Sequence, residues 1–172
     1  MTRMHCIRSR GFSLIEVMVA VLIVSLGLIG IAAMQANAIA STHSSQMESL
    51  VAIEAQSLAS SMTANPWWNQ GLFPSSITVN GGTISPTSMQ GSTDCTKASC
   101  SGAQLASYDL AAWGQQLQKQ VPGAQATIAC QAGSPVICSI TVTWTPESNV
   151  ALNSGTASNT ATALSYTLVN QF

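Results

Sequence analysis

Few residues in this chain are equipped for chemistry, and the one that stands out is a carboxylate in an apolar setting. Glu16 is the single formal charge in the run from Phe12 to Met34. A carboxylate near a bilayer core costs about 2.5 to 3.5 kcal/mol on insertion scales, so it is kept only with a partner or a purpose. Thiols are the second resource. Cys6 precedes the apolar run, and the other four cysteines fall into two close pairs, Cys95 with Cys100 and Cys130 with Cys138. An even set beyond a membrane-crossing segment points to disulfides in an oxidising compartment. Zinc is disfavoured, because neither spacing is C-x2-C and the histidines are His5 in the leader and His43 far upstream. No metal and no cofactor are expected. Catalysis has no constellation either: His43 falls in a helical stretch, Asp109 and Lys119 supply no base for a serine nucleophile, and no glycine-rich phosphate loop is present. An enzyme is not expected.

The charge balance narrows the partners. Charged residues are only 6% of the 172-residue chain, against about 25% in typical soluble proteins. Arg3, Arg8 and Arg10 precede the apolar run, and from residue 12 onward two basic residues face six acidic ones, a net charge of −4. Direct nucleic-acid binding is not expected, since phosphate backbones would be repelled.

Residues 12–34 are long enough to cross a hydrocarbon core of about 30 Å as a helix. The preceding arginines place the N-terminus in the cytoplasm and the C-terminal bulk on the far side. No proline interrupts the chain between Phe12 and Asn65, so the helix is predicted to continue as an amphipathic outer half. Met47, Leu50, Val51, Leu58 and Met62 form its stripe, with Glu48 off it and Ile53 an exception. Asn65-Pro66 should end it, after about 51 residues and roughly 77 Å. Residues 66–104 read as a long connection with Trp67, Trp68, Leu72 and Phe73 as a local apolar cluster. Trp67 and Trp68 are expected to pack as a collar, and Trp113 and Trp144 to lie in the core.

Leu110, Trp113, Leu117 and Val121 mark a short amphipathic helix over 105–121, stopped by Pro122-Gly123. The period then changes to 2. Ala126, Ile128 and Cys130 alternate, as do Val136, Cys138, Ile140, Val142 and Trp144. An antiparallel hairpin around residues 132–135 opposes Cys130 to Cys138, Ile128 to Ile140 and Ala126 to Val142 in one register. That makes Cys130–Cys138 the preferred bridge, with Cys95–Cys100 following by elimination, although four cysteines permit three arrangements. Residues 146–162 read as a polar loop, and Leu164, Tyr166, Leu168 and Phe172 as one side of a last strand. The fold class is α+β: a long N-terminal helix packed on a small antiparallel sheet of at least three strands.

The leader is unlike an ordinary secretory signal, whose apolar region spans about 7 to 15 residues before a small-residue cleavage site. Gly11-Phe12-Ser13-Leu14-Ile15-Glu16-Val17, after its arginines, resembles the class III signal of type IV pilins and pseudopilins. Ser25-Leu26-Gly27-Leu28-Ile29-Gly30-Ile31-Ala32-Ala33-Met34-Gln35 further resembles the PilV-type minor pilins, or type IV pilus modification proteins. The resemblance implies that prepilin peptidase cuts between Gly11 and Phe12 and methylates the Phe12 amine, and that Glu16 pairs with a neighbour's N-terminal amine during assembly. It divides the chain into a leader (1–11), a membrane and filament-core half-helix (12–34) and a periplasmic pilin domain (35–172) that includes the outer half of the helix. A plainer role for Glu16 also stands, since Ser13-x-x-Glu16 is a capping box with Phe12 and Val17 as its staple. Gly27 and Gly30 are either packing positions or hinges.

The resemblance implies a minor pilin that promotes initiation of pilus assembly in a tip or priming complex, with twitching motility and adhesion as outcomes. Its partners would be other minor pilins, the major pilin, prepilin peptidase and the inner-membrane assembly platform. It would reside in the inner membrane as a single-pass protein and then in the fibre at the cell surface. A minor pseudopilin of a type II secretion system and a DNA-uptake minor pilin are the alternatives.

Overall fold

The computed structural model describes residues 13–91, 93–145 and 163–172, the side chains of residues 33, 36, 37 and 40 excepted. The expected cleavage site at Gly11 and Phe12, Cys6 and the expected polar loop over 146–162 lie outside those residues. Two compact units meet in sequence between Thr42 and His43. Helix α1, Leu14–Ala64, runs through both without a proline to interrupt it.

In the first unit the helix is apolar and uncovered. The described side chains from Leu14 to Thr42 are exposed. Two of its hydroxyls are absorbed by the helix itself: Ser25 donates to the Leu22 carbonyl at 2.8 Å and Thr42 to that of Ala38 at 2.9 Å.

The second unit holds the core. Along the remainder of α1, Val51, Leu58 and Met62 are buried, Met47 and Leu50 pack at the margin, and Ile53 is exposed, as the stripe predicts. Ala55 and Ala59 complete the buried face. Asn65 then stops the helix and ties its end down. Its side chain accepts from the Trp67 amide at 3.1 Å and donates to the Gly102 carbonyl at 2.8 Å, while a 3-10 turn begins at Pro66. Trp68 is buried edge-on to Trp67, with ring centroids 5.0 Å apart, and tilted against Phe73 at 5.7 Å. Leu72 corrects the expectation of a four-residue cluster, because it points outward and is 72% exposed.

A second correction concerns the segment read as a connection. It contains two strands, β1 (Ser76–Asn80) and β2 (Thr83–Ser85), paired through the two-residue turn Gly81-Gly82. Ile77, Val79 and Ile84 supply the buried alternation, too short and too interspersed with Ser, Thr and Asn to mark strands by pattern alone. Gly81 carries the positive φ of +57° that such a hairpin turn demands.

Helix α2, Gly102–Gln120, opens on a capping box. The Ser101 hydroxyl accepts from the Gln104 amide, and the Gln104 side chain accepts from the Ser101 amide. Its stripe of Leu110, Trp113 and Leu117, continued by Val121, is buried. Strands β3 (Gln125–Gln131), β4 (Ile137–Trp144) and β5 (Leu164–Gln171) follow. The β3–β4 register opposes Ala126 to Val142, Ile128 to Ile140 and Cys130 to Cys138, the register anticipated from alternation. All pairs in the sheet are antiparallel, and its five strands lie in the order β2-β1-β3-β4-β5. The inward residues of the sheet share one apolar core with the outer part of α1 and with α2, the α+β arrangement expected.

Candidate functional site

The site anticipated by sequence is the start of α1. Its first acidic residue is Glu16 in the first turn, exposed to the surroundings. The Ser13 carbonyl accepts from the Glu16 and Val17 amides at 3.0 and 3.4 Å, so the turn is closed by backbone bonds and Glu16 stands exposed on an apolar rod. Leu14–Ala32 has a mean hydropathy of 2.7 and none of it is buried. By length and composition this helix can cross a bilayer. Gly27 and Gly30 have open space where a side chain would stand, so among the described residues they serve no close packing.

The cysteines are joined as Cys95–Cys100, with Cα atoms 5.6 Å apart, and Cys130–Cys138, with Cα atoms 4.1 Å apart. The first closes a short loop in which the Lys97 ammonium meets Asp94 at 3.0 Å. Thr96 donates its hydroxyl to the same carboxylate at 2.6 Å. The Thr96 hydroxyl, then Lys97, then the Thr96 amide hold Asp94 below the usual carboxylate range. Asp109, on α2, is pushed up by loss of solvent. Among the described residues no cluster of three His, Cys, Asp or Glu side chains is placed to hold a metal.

One polar site escaped the sequence reading. Glu54 on α1 is 3% exposed. Its Oε1 accepts from the Gln116 and Gln120 amides at 2.9 and 2.7 Å, and its main-chain carbonyl accepts from the Trp113 indole N–H at 2.9 Å. Its Oε2 is buried with no protein partner among the described residues. The signal was present as a gap: Glu54 lies between Val51 and Leu58 on the buried stripe, where an apolar residue would ordinarily fall. Glu54, Gln116, Gln120 and Trp113 together lock α1 to α2, a structural role in which nothing is poised to react.

Against known families, residues 6–32 match the prokaryotic N-terminal methylation motif. The match supports a type IV pilin-like protein. No curated protein and no solved structure matches the chain. The motif implies processing by prepilin peptidase and assembly with other pilins into a pilus or pseudopilus. The motif and the apolar helix fit anchoring in the inner membrane, and they point to a structural protein rather than an enzyme.

Proposed function

We propose that this chain is a minor pilin of the type IV pilus, cut between Gly11 and Phe12 and methylated on the Phe12 amine by prepilin peptidase. The methylation motif over residues 6–32 carries this reading, and the exposed apolar part of α1 supports it. The cut leaves Glu16 four residues from the new amine. Its charge then draws the subunit into the growing filament by pairing with a neighbour's N-terminal amine, and the apolar helix exchanges lipid for the helices of other subunits. The segment from Ser25 to Gln35 favours the PilV-type role: a place in the tip or priming complex, in contact with other minor pilins, the major pilin and the assembly platform. Initiation of assembly, twitching motility and adhesion are the outcomes.

Mass spectrometry of the mature N-terminus tests the processing step. A chain beginning at N-methylated Phe12 supports it, and an intact Met1 or a cut elsewhere overturns it. Glu16→Gln keeps a hydrogen-bonding side chain but removes the charge, so the variant should be cut normally and fail to enter pili. Normal recruitment of that variant would overturn the assembly role.

The same motif is compatible with a minor pseudopilin of a type II secretion system, and deletion separates the two readings: loss of twitching marks the pilus, loss of exoprotein release the secretion system. A DNA-uptake role runs against the −4 balance of the chain beyond residue 11 and would require a salt-sensitive affinity for DNA.

A further inference from the structure

We propose that the outer edge of β5 takes up an extended segment of a partner protein as a sixth strand, and that this segment carries a basic side chain directed at Glu48. None of the residues concerned belongs to the N-terminal part of α1 invoked above.

The orientation of the β5 backbone follows from two observations. The Phe172 amide donates to the Val136 carbonyl at 3.0 Å. Bonded and non-bonded pairs alternate along an antiparallel ladder, so Leu164, Tyr166, Leu168 and Asn170 direct their N–H and C=O groups at β4. Independently, the Cys130 amide donates toward β1, to the Ser75 carbonyl. Cys130 and Cys138 therefore oppose each other as a non-bonded pair, in keeping with their 4.1 Å Cα separation, and Cys138 faces β5. Both routes leave Ser165, Thr167, Val169 and Gln171 with their backbone donors and acceptors turned away from the sheet. Among the described residues nothing pairs with them, because β5 ends the strand order.

The two edges of the sheet differ. At the far edge β2 has three residues and is followed by Pro86, the short and proline-flanked form that discourages further pairing. β5 is eight residues long, pairs with β4 at eight successive positions without a bulge, and contains no charge and no proline. Within the strand itself no charge, proline or bulge blunts the open edge. Val169, in mid-strand on the outer face, is 61% exposed.

A groove beside this edge supplies the selectivity. It measures about 580 Å3 and is lined by Ser45, Glu48 and Ser49 of α1 and by Trp144, Leu164 and Tyr166. An added strand lies about 4.8 Å beyond β5, so its residues opposite Leu164 and Tyr166 point over the groove. Apolar side chains there cover Leu164 and Tyr166, and a lysine or arginine reaches Glu48. Glu48 has no cation among the described residues, where Lys97 with Asp94 is the one ion pair. Main-chain bonds then give affinity and the groove gives choice, as in other strand-addition interfaces.

The test titrates the full chain in detergent with an acetylated nonapeptide that alternates threonine with valine, one valine replaced by lysine, and follows amide hydrogen exchange residue by residue. Without peptide, the amides of Ser165, Thr167, Val169 and Gln171 should exchange at least about tenfold faster than those of Tyr166, Leu168 and Asn170. Saturating peptide should slow the first set at least about tenfold. A peptide with glutamate in place of lysine should bind at least about tenfold more weakly, and Glu48→Gln should erase that preference. Thr167→Pro removes an outward donor while leaving the β4 ladder intact, and should abolish protection. The same peptide, N-methylated on the amides that would face β5, repeats this control without altering the protein. The proposal is overturned if the four amides are already protected without peptide, if no protection develops by about 1 mM peptide, or if the N-methylated peptide protects equally well.

Discussion

Glu54 is a buried polar residue that joins two helices of the second unit. Two glutamine amides end on its Oε1 and an indole N–H on its carbonyl, all across the contact between α1 and α2. Glu54→Ala removes the acceptor shared by the half-buried Gln120 and the exposed Gln116 amides and opens a cavity in the joint, so it should destabilise the fold by about 2 kcal/mol in urea unfolding. Trp113→Phe keeps the packing and loses one bond, and about 1 kcal/mol is expected in the same measurement. Gly114 is a separate case of close approach. A Cβ placed there would collide with the Gly81 carbonyl and the Val79 side chain, and a backbone carbonyl cannot swing aside. Gly114→Ala should therefore cost about 3 kcal/mol, seen as a lowered thermal midpoint.

At the level of elements, α2 is the best defined by its own sequence. Its capping box predicts that Ser101→Ala lowers stability by about 1 kcal/mol, read as a lower urea midpoint at unchanged slope. Asp109 gives the helix a pH signature. Burial raises its carboxyl above the unfolded value, so ionisation works against the fold, and stability is regained as pH falls through the raised folded value toward the unfolded one. Asp109→Asn should accordingly stabilise the chain at neutral pH, with the gain shrinking on acidification. The elements legible in the sequence were those with a long period: the proline-free helix ended by Asn65-Pro66, the 3.6-residue stripe of α2, and the alternation that fixed the β3–β4 register. The β1–β2 hairpin was hidden because Ile77, Val79 and Ile84 are too few to establish a period, and Gly81-Gly82 read as part of a long connection that packs locally. Glu54 was hidden for a different reason. Apart from the gap in the stripe, nothing near it in the chain marks it, and glutamines more than 60 residues away on α2 make it a joint. Of the candidate site, Glu16 was legible because an isolated charge in an apolar run needs no tertiary context; the Glu48 groove was not, because α1 and β5 meet only in the folded chain.

For the molecule as a whole, the scarcity of charge sets how it responds to its surroundings. Among the described residues the single ion pair, Lys97 with Asp94, is exposed, and such pairs contribute about 0 to 1 kcal/mol. Raising sodium chloride from about 0.05 to about 1 M should therefore leave the thermal midpoint within about 2 °C, since there is little Coulombic stabilisation to screen. Cohesion rests instead on the apolar core and on polar joints such as Glu54 and Asn65. The two sulfur bridges add a further property. Each joins cysteines that are near neighbours along the chain, five and eight residues apart, whereas any exchange of partners between the pairs would have to close a loop containing the whole of α2. Loop entropy disfavours the longer closures. The reduced polypeptide can thus sort its thiols before tertiary structure exists, and its oxidative maturation should proceed to the correct isomer without a shuffling catalyst.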